Sequence, residues 1–276
     1  MSLVLLAGGY NNRMRRTDRT LPKSLVALHD VPPVMILLTQ RFIRDDVQVV
    51  VTCDAQAAET FRVLYPQVAR SVKIVEDDFV GTGRALRMGV EAARSRWVLV
   101  ANADTIVPVD LTAWYRDIDL VAPVHQLLVP RSVQNSMLIG VDPVSGAVRH
   151  WGEGTGQSPA CRLQPASSTG VYLVNRSSWL AWQYSDGLSL ESDILPEAVS
   201  GGLVHGTIAP SSMPVFDYGT TERLQELQDN GRLRHDLLAA AHLVPKGYRC
   251  PPPSYIYEPM AISSGRLLSA ASGAPS

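Results

Sequence analysis

Cysteine is scarce in this chain. Cys53, Cys161 and Cys250 are the three among 276 residues, and they lie far apart. No CxxC pair and no Cys/His cluster exists, which excludes the spacing of a zinc site. An odd, sparse set reads as reduced thiols, so the expected compartment is the cytoplasm. An excess of one charge is missing too: 25 Lys and Arg stand against 26 Asp and Glu, a formal net charge of −1. There is no overall basic field to collect nucleic acid. No apolar stretch approaches the ~20 residues that span a bilayer. The opening MSLVLLAGGY puts no basic segment before its short apolar run, so a signal peptide is not expected.

Apolar core material is abundant. Hydrophobic residues make up 46% and charged residues 18%, a balance that excludes global disorder. The length suits one large α/β domain, or one domain with a small appendage. Strand-like and helix-like segments alternate through the first half. Leu3–Leu6, Val47–Thr52, Val72–Val75 and Trp97–Ala101 read as strands. Pro33–Ile43, Ala55–Leu64 and Gly83–Arg94 read as helices. Such alternation predicts parallel pairing in a doubly wound sheet.

The second half changes character. Met137–Val141 and Ala147–Trp151 flank DPVSG and predict a hairpin. Residues 152–166, rich in Gly, Ser and Pro, read as a loop. Gly170–Val174, Leu203–Ile208 and Val215–Tyr218 read as strands. Leu190–Val199 reads as a helix kinked at Pro196, and Thr221–Asp229 as a helix capped by Thr220 or Thr221. The tail from Pro251 opens with three prolines and ends SAASGAPS, a composition that predicts a loosely draped, partly disordered segment.

The first turn is chemically distinctive. The apolar strand runs into Gly8-Gly9, and five cations follow within eleven residues: Arg13, Arg15, Arg16, Arg19 and Lys23. Glycines after a buried strand let backbone N–H groups approach an anion closely. With the whole chain near neutrality, this cationic loop is local and suits a small polyphosphate rather than a long polymer. It is neither a GxGxxG fingerprint nor a loop ending in Gly-Lys-Ser/Thr.

Gly8-Gly9, an Arg four residues on and Pro22-Lys23 resemble the opening GGxGTR and Pro-Lys of the sugar-1-phosphate nucleotidyltransferase family. Asn11 stands at the third glycine, and Asn is the non-glycine residue that best tolerates positive φ. Asn12 stands at the Thr. Further segments match in order: DDFVGTGRAL (77–86), VANADT (100–105), STGVYLV (168–174), SLESDILPEAV (189–199) and FDYGTTERL (216–224).

The resemblance implies a Rossmann-like three-layer α/β sandwich with a mixed, mostly parallel central sheet and a small β-rich sugar-binding insertion. It implies a nucleotidyltransferase domain over residues 1–230, with the sugar-binding part at about 120–215, and an extension over 231–276. It implies the reaction NTP + sugar 1-phosphate → NDP-sugar + pyrophosphate with Mg²⁺. Arg13 and Lys23 would be catalytic, and Asp104 and Asp217 would hold the metal. Leu6, Ala7, Gly8, Gly9, Asn11, Asn12, Gly81, Thr82 and Gly83 would seat the nucleotide. Asn102, Gly140, Glu153, Ser168, Gly170 and Glu191 would face the sugar. Where the family carries Glu-Lys for the sugar phosphate, this chain reads WGEGTG (151–156), leaving Arg149 or Arg162 as candidates.

Within the family the chain resembles the heptose 1-phosphate guanylyltransferase branch, which implies GTP with a heptose or a related cyclitol phosphate. Thymidylyl or cytidylyl transfer stays open, as does a non-catalytic nucleotide-sugar-binding regulatory role. A homodimer is also left open. A metal-dependent glycosyltransferase would need Asp-x-Asp, and Asn102-Ala103-Asp104 lacks the first carboxylate. Plain structural roles compete at several positions. Asp104 could cap a helix, Arg15, Arg16 and Arg19 suit a solvated loop, and His125, His150 and His205 are isolated.

Overall fold

The computed structural model describes residues 1–8, 24, 47–78, 81–107, 111–130, 137–152, 163–184, 189–211, 215–217, 219, 221–229, 262–263 and 266–267. The helix expected over 33–43 lies outside them. In chain order the elements begin β1 (Ser2–Leu6), β2 (Gln48–Asp54), α1 (Ala55–Leu64), α2 (Pro66–Ser71) and β3 (Lys73–Asp77). Then come α3 (Thr82–Ala92), β4 (Trp97–Asn102), β5 (Thr105–Ile106), α4 (Leu111–Asp117) and β6 (Val124–Pro130). Next are β7 (Leu138–Val141), β8 (Val148–Gly152), β9 (Gln164–Asn175) and α5 (Arg176–Ala181). A π-turn (Leu190–Ile194) leads into α6 (Leu195–Ser200), followed by β10 (Val204–Ile208), β11 (Phe216–Asp217) and α7 (Thr221–Asp229). A short hairpin, β12 (Ile262–Ser263) and β13 (Arg266–Leu267), lies within the tail.

The main sheet runs β10-β6-β9-β4-β1-β2-β3, with β7 and β8 added beside β9. β4, β1, β2 and β3 pair in parallel. β9 is antiparallel to both β4 and β6. The mixed, mostly parallel sheet expected from the motifs is therefore present.

Side-chain alternation explains the layers. Leu3, Leu5, Val49, Val51 and Leu99 point to one core, which α1 and α4 complete with Ala58, Phe61 and Trp114. Val4, Leu6, Val50, Val98 and Val100 point to the other, with Leu86 and Val90 of α3, Trp179 of α5 and Leu195 of α6. A strand covered on both faces reads as a continuous apolar run, which is why SLVLL is buried throughout. α3 sits close because of Gly89, where a Cβ would lie 2.4 Å from Val4 Cγ1. α1 starts where Asp54 Oδ1 accepts from the Ala57 N–H at 2.9 Å. No helix among the described residues is long and apolar enough to cross a membrane.

Three differences from the sequence reading have physical causes. β9 begins at Gln164, inside the stretch read as a loop, because its first residues, Gln164 and Pro165, are exposed and Ser167 is a buried polar residue, so the strand reads as a polar segment. β6, VHQLLVP, is buried nearly throughout although His, Gln and Pro interrupt its apolar run. The single kinked helix expected over 190–199 is a π-turn followed by α6. Ile194 N–H bonds Ser189 C=O, a five-residue step, and Pro196 occupies the first turn of α6. There its missing N–H costs no helical hydrogen bond.

His125 on β6 is buried, and its Nε2 accepts from the Ala122 N–H at 3.3 Å. Burial, helped by neighbouring His205, pushes its pKa down to about 4. The unfolded chain binds that proton near pH 6.5, so His125 leaves stability undiminished above 6.5 and removes it as pH falls toward 4. Denaturant melts across that window should show a loss of roughly 3 kcal/mol in the native chain. The loss should be largely absent in His125→Gln.

Candidate active site

The carboxyl edge of the parallel strands collects the chemistry, as open α/β sheets require. β4 ends at Asn102, and the chain then turns: Ala103 N–H bonds Leu6 C=O at 3.0 Å, tying this turn to the end of β1. Asp104 follows and leads into β5. β5 pairs antiparallel with β11, placing Thr105 opposite Asp217. Two carboxylates more than a hundred residues apart in sequence are thus brought to one short ladder. Asp217 Oδ1 accepts from the Gly219 N–H at 2.7 Å, and its Oδ2 pairs with Arg223 of α7. Thr105 Oγ1 donates to Asp104 Oδ1 at 3.4 Å.

A third carboxylate comes from the π-turn. Glu191 Oε1 accepts from Tyr172 OH at 3.2 Å and from Asn102 Nδ2 at 3.5 Å. Its backbone C=O accepts from Trp151 Nε1 at 2.7 Å. Burial pushes the Glu191 carboxyl above the usual carboxylate range, and the charges of Asp104 and Asp217 add to that. The hydrogen bonds from Tyr172 and Asn102 pull it back. Burial, with the Glu191 charge, holds Tyr172 well above its ordinary value, so it is a neutral donor. Glu191 therefore lies within electrostatic reach of both Asp104 and Asp217.

Gly170 shapes this corner. Its φ is +70°, and a Cβ there would lie 2.7 Å from Asn102 Nδ2. Only glycine lets the Asn102 amide lie against the strand at that backbone angle. Ser168, two residues before it, accepts from the Gly170 N–H at 3.1 Å and from Gln126 Nε2 at 2.7 Å.

The expected nucleotide residues lie on the neighbouring side of the edge. Leu6 closes β1, Ala7 N–H bonds Thr52 C=O at 2.8 Å, and Gly8 follows. A Cβ on Gly8 would lie 2.7 Å from Asp77 Oδ2, so the Asp77 carboxylate borders this loop. Gly81 precedes α3, Thr82 Oγ1 accepts from the Leu190 N–H at 2.8 Å, and Gly83 C=O accepts from Tyr184 OH at 3.1 Å. That turn is thereby fastened to the segment bearing Glu191.

Gly140 packs against Leu163 and His150, on the strand that pairs with β8. Arg149 is exposed, and its charge acts on His205 and Asp142. Gly9, Asn11, Asn12, Arg13, Lys23, Glu153 and Arg162 lie outside the described residues. Sequence reasoning missed the roles of Gln126, Tyr172 and Arg223. Tyr172 lies inside the STGVYLV motif and Arg223 inside FDYGTTERL, so the signal was there without a partner to interpret it.

A family model for the MobA-like NTP transferase domain matches residues 3–242, and the chain belongs to that family. It is an enzyme of the nucleotidyltransferase class, and its resemblance to the sugar-1-phosphate nucleotidyltransferases is borne out. The family binds a nucleoside triphosphate and a sugar phosphate and generally uses a divalent metal. Among solved structures the chain is similar to HddC from Yersinia pseudotuberculosis, 19% identical with a TM-score of 0.64 over 82% of this chain and 97% of that one. The inositol-1-phosphate CTP transferase from T. maritima is 14% identical with a TM-score of 0.64 over 90% and 98%. A putative glucose-1-phosphate thymidylyltransferase from Bacillus anthracis is 16% identical with a TM-score of 0.63 over 85% and 95%. Identities this low establish the shared fold. No curated protein sequence matches.

Gly170→Ala tests how this corner is built. The added Cβ meets Asn102 at a left-handed backbone angle, which costs about 1–2 kcal/mol. Urea unfolding should show that loss.

Proposed function

We propose that this chain joins a nucleoside triphosphate, GTP, to a heptose 1-phosphate or a related cyclitol 1-phosphate, using Mg²⁺ and releasing pyrophosphate. The observation that carries the reading is the gathering of Asp104, Asp217 and Glu191 at the carboxyl edge, beside the glycine turns at Gly8 and Gly81–Gly83. An oxygen of the sugar phosphate attacks the α-phosphorus, and the bond to the bridging oxygen of the pyrophosphate breaks. The attacking group is already anionic, so no side-chain nucleophile or strong base is needed. What the reaction needs is neutralised charge on attacker, target and leaving group.

Arg13 and Lys23 supply part of that charge in this reading, on the strength of the motif they occupy. Asp104 and Asp217 would hold Mg²⁺. The donor set fits, since both side chains offer only oxygen, the ligand this small hard cation prefers alongside phosphate and water. Burial raises the Glu191 pKa and these two charges add to it, a negative field that a dication would relieve. Among the described residues no three His, Cys, Asp or Glu side chains form a metal cage. The remaining ligands would come from substrate and water. When bound, the metal supplies charge neutralisation at the α-phosphate and pyrophosphate.

Asn102, Ser168, Gly170 and Glu191 form the acceptor half, with Glu191 taking a sugar hydroxyl. The guanine choice is supported by the likeness to HddC, one structure of which holds GMP-PN. The cyclitol option is supported by the likeness to the inositol-1-phosphate enzyme. We place the catalytic domain at residues 1–230 with its acceptor part at about 120–215, the extension at 231–276, and the enzyme in the cytoplasm.

Pyrophosphate release should be measured with ATP, GTP, CTP, UTP and dTTP against a panel of sugar and cyclitol 1-phosphates with Mg²⁺. Turnover is expected with GTP. Asp104→Asn and Asp217→Asn should each lower kcat by about 10²–10³, and Lys23→Ala should abolish turnover with little loss of stability. Nucleotide binding without turnover for every pair would instead favour a regulatory role.

A further inference from the structure

Gln126, Ser168 and Tyr172 form a file of side chains that ends on Glu191. Gln126 is fully buried on β6, level with Tyr172 on β9. Its Nε2 donates to Ser168 Oγ at 2.7 Å, and the Gly170 N–H donates to the same oxygen at 3.1 Å. A hydroxyl oxygen has two acceptor sites and one proton. With both acceptor sites taken, the Ser168 proton can go only outward, to the Tyr172 oxygen 3.3 Å away. Tyr172, receiving that proton, turns its own toward Glu191 Oε1 at 3.2 Å. With Gln126 Nε2 facing Ser168, the direction of every bond in the file follows, and Gln126 Oε1 is left buried without a hydrogen-bond partner among the described residues.

The consequence falls on Glu191. Oε1 is occupied by Tyr172 and Asn102, while no described residue hydrogen-bonds Oε2. The backbone is held as well, by Trp151 Nε1 on the Glu191 C=O and by Thr82 Oγ1 on the Leu190 N–H. The carboxylate can neither rotate nor choose which oxygen it offers.

We propose that Gln126, Ser168 and Tyr172 are positioning residues: a one-way donor chain that locks Glu191 Oε1 and presents Oε2 as the acceptor for one hydroxyl of the sugar or cyclitol phosphate. This deepens the nucleotidyltransferase reading and rests on it. Gln126 and Tyr172 act from behind the acceptor contact, while Ser168, itself in the acceptor half, also holds the Tyr172 hydroxyl. Their effect is to make the Glu191 oxygen a fixed point, so an acceptor lacking a hydroxyl there binds poorly.

The test is steady-state kinetics on the full chain with the best substrate pair from the panel, varying each substrate in turn. Tyr172→Phe and Ser168→Ala should each raise KM for the sugar phosphate about 10–100-fold, the range for a lost hydrogen bond to a charged group. KM for the nucleotide should stay within about twofold. Ser168→Thr keeps the hydroxyl and should restore acceptor KM. Because the residues act in series, the double variant should be no worse than Tyr172→Phe alone.

Thermal melting of each variant identifies one that has failed to fold, and Tyr172→Phe, at a residue outside the acceptor half, then decides the matter, with the double variant as the check that the effects run in series. Turnover with an unchanged acceptor KM in Tyr172→Phe and Ser168→Ala overturns the chain while leaving the parent reading intact. A parallel rise in both KM values also overturns it. No pyrophosphate from the unaltered protein with any pair overturns the parent reading, and the positioning role with it.

Discussion

Two backbone pairings, Phe216 with Ile106 and Asp217 with Thr105, decide whether this chain has a two-carboxylate site at all. Asp104 is delivered by the end of β4 and Asp217 by a segment that returns after β6 to β10 have been built. The ladder is only two residues long. It has support at both ends, from the Ala103 bond to Leu6 on one side and the Arg223 contact with Asp217 on the other. Without that short antiparallel match the field that raises Glu191 would lose one of its sources.

The reversal of β9 has equal weight. A wholly parallel sheet would place the end of every strand at one edge. Because β9 runs against both β4 and β6, its residues Ser168 to Tyr172 pass alongside the end of β4 instead of away from it. That passage sets Gly170 against Asn102 and Tyr172 within reach of Glu191. The register shift between Leu127 and Leu128 lies beside this corner, where an irregular ladder frees Thr169 Oγ1 to bond the Leu127 C=O at 2.6 Å.

Much of the fold is legible in the sequence because the strands are buried on both faces, and the code for that is crude. Runs such as SLVLL and QVVVT need no partner to be recognised. Ala55–Leu64 and Thr221–Asp229 carry their boundaries in local chemistry, and the helices have the bounds read from it. β6 is illegible because His125 and Gln126 look solvent-facing, and only their neighbours make them core residues. In the site, Asp104, Asp217 and Glu191 can be picked out by the motifs around them. Their meeting cannot, because it depends on a two-residue ladder and a π-turn that leave no mark in composition or period. Gln126 carries no motif, and its importance comes from what stands next to it on another strand.

The bond from the Leu190 N–H to Thr82 Oγ1 joins two parts of the molecule usually thought of separately. Thr82 opens the helix after the turn at Gly81, and Leu190 immediately precedes Glu191. With Tyr184 reaching Gly83 nearby, the turn before α3 and the π-turn segment share one mechanical joint. Neither can tilt without dragging the other. A displacement at the Gly81–Gly83 turn is passed toward Glu191 through the bond between Thr82 and Leu190, and the return path is the same.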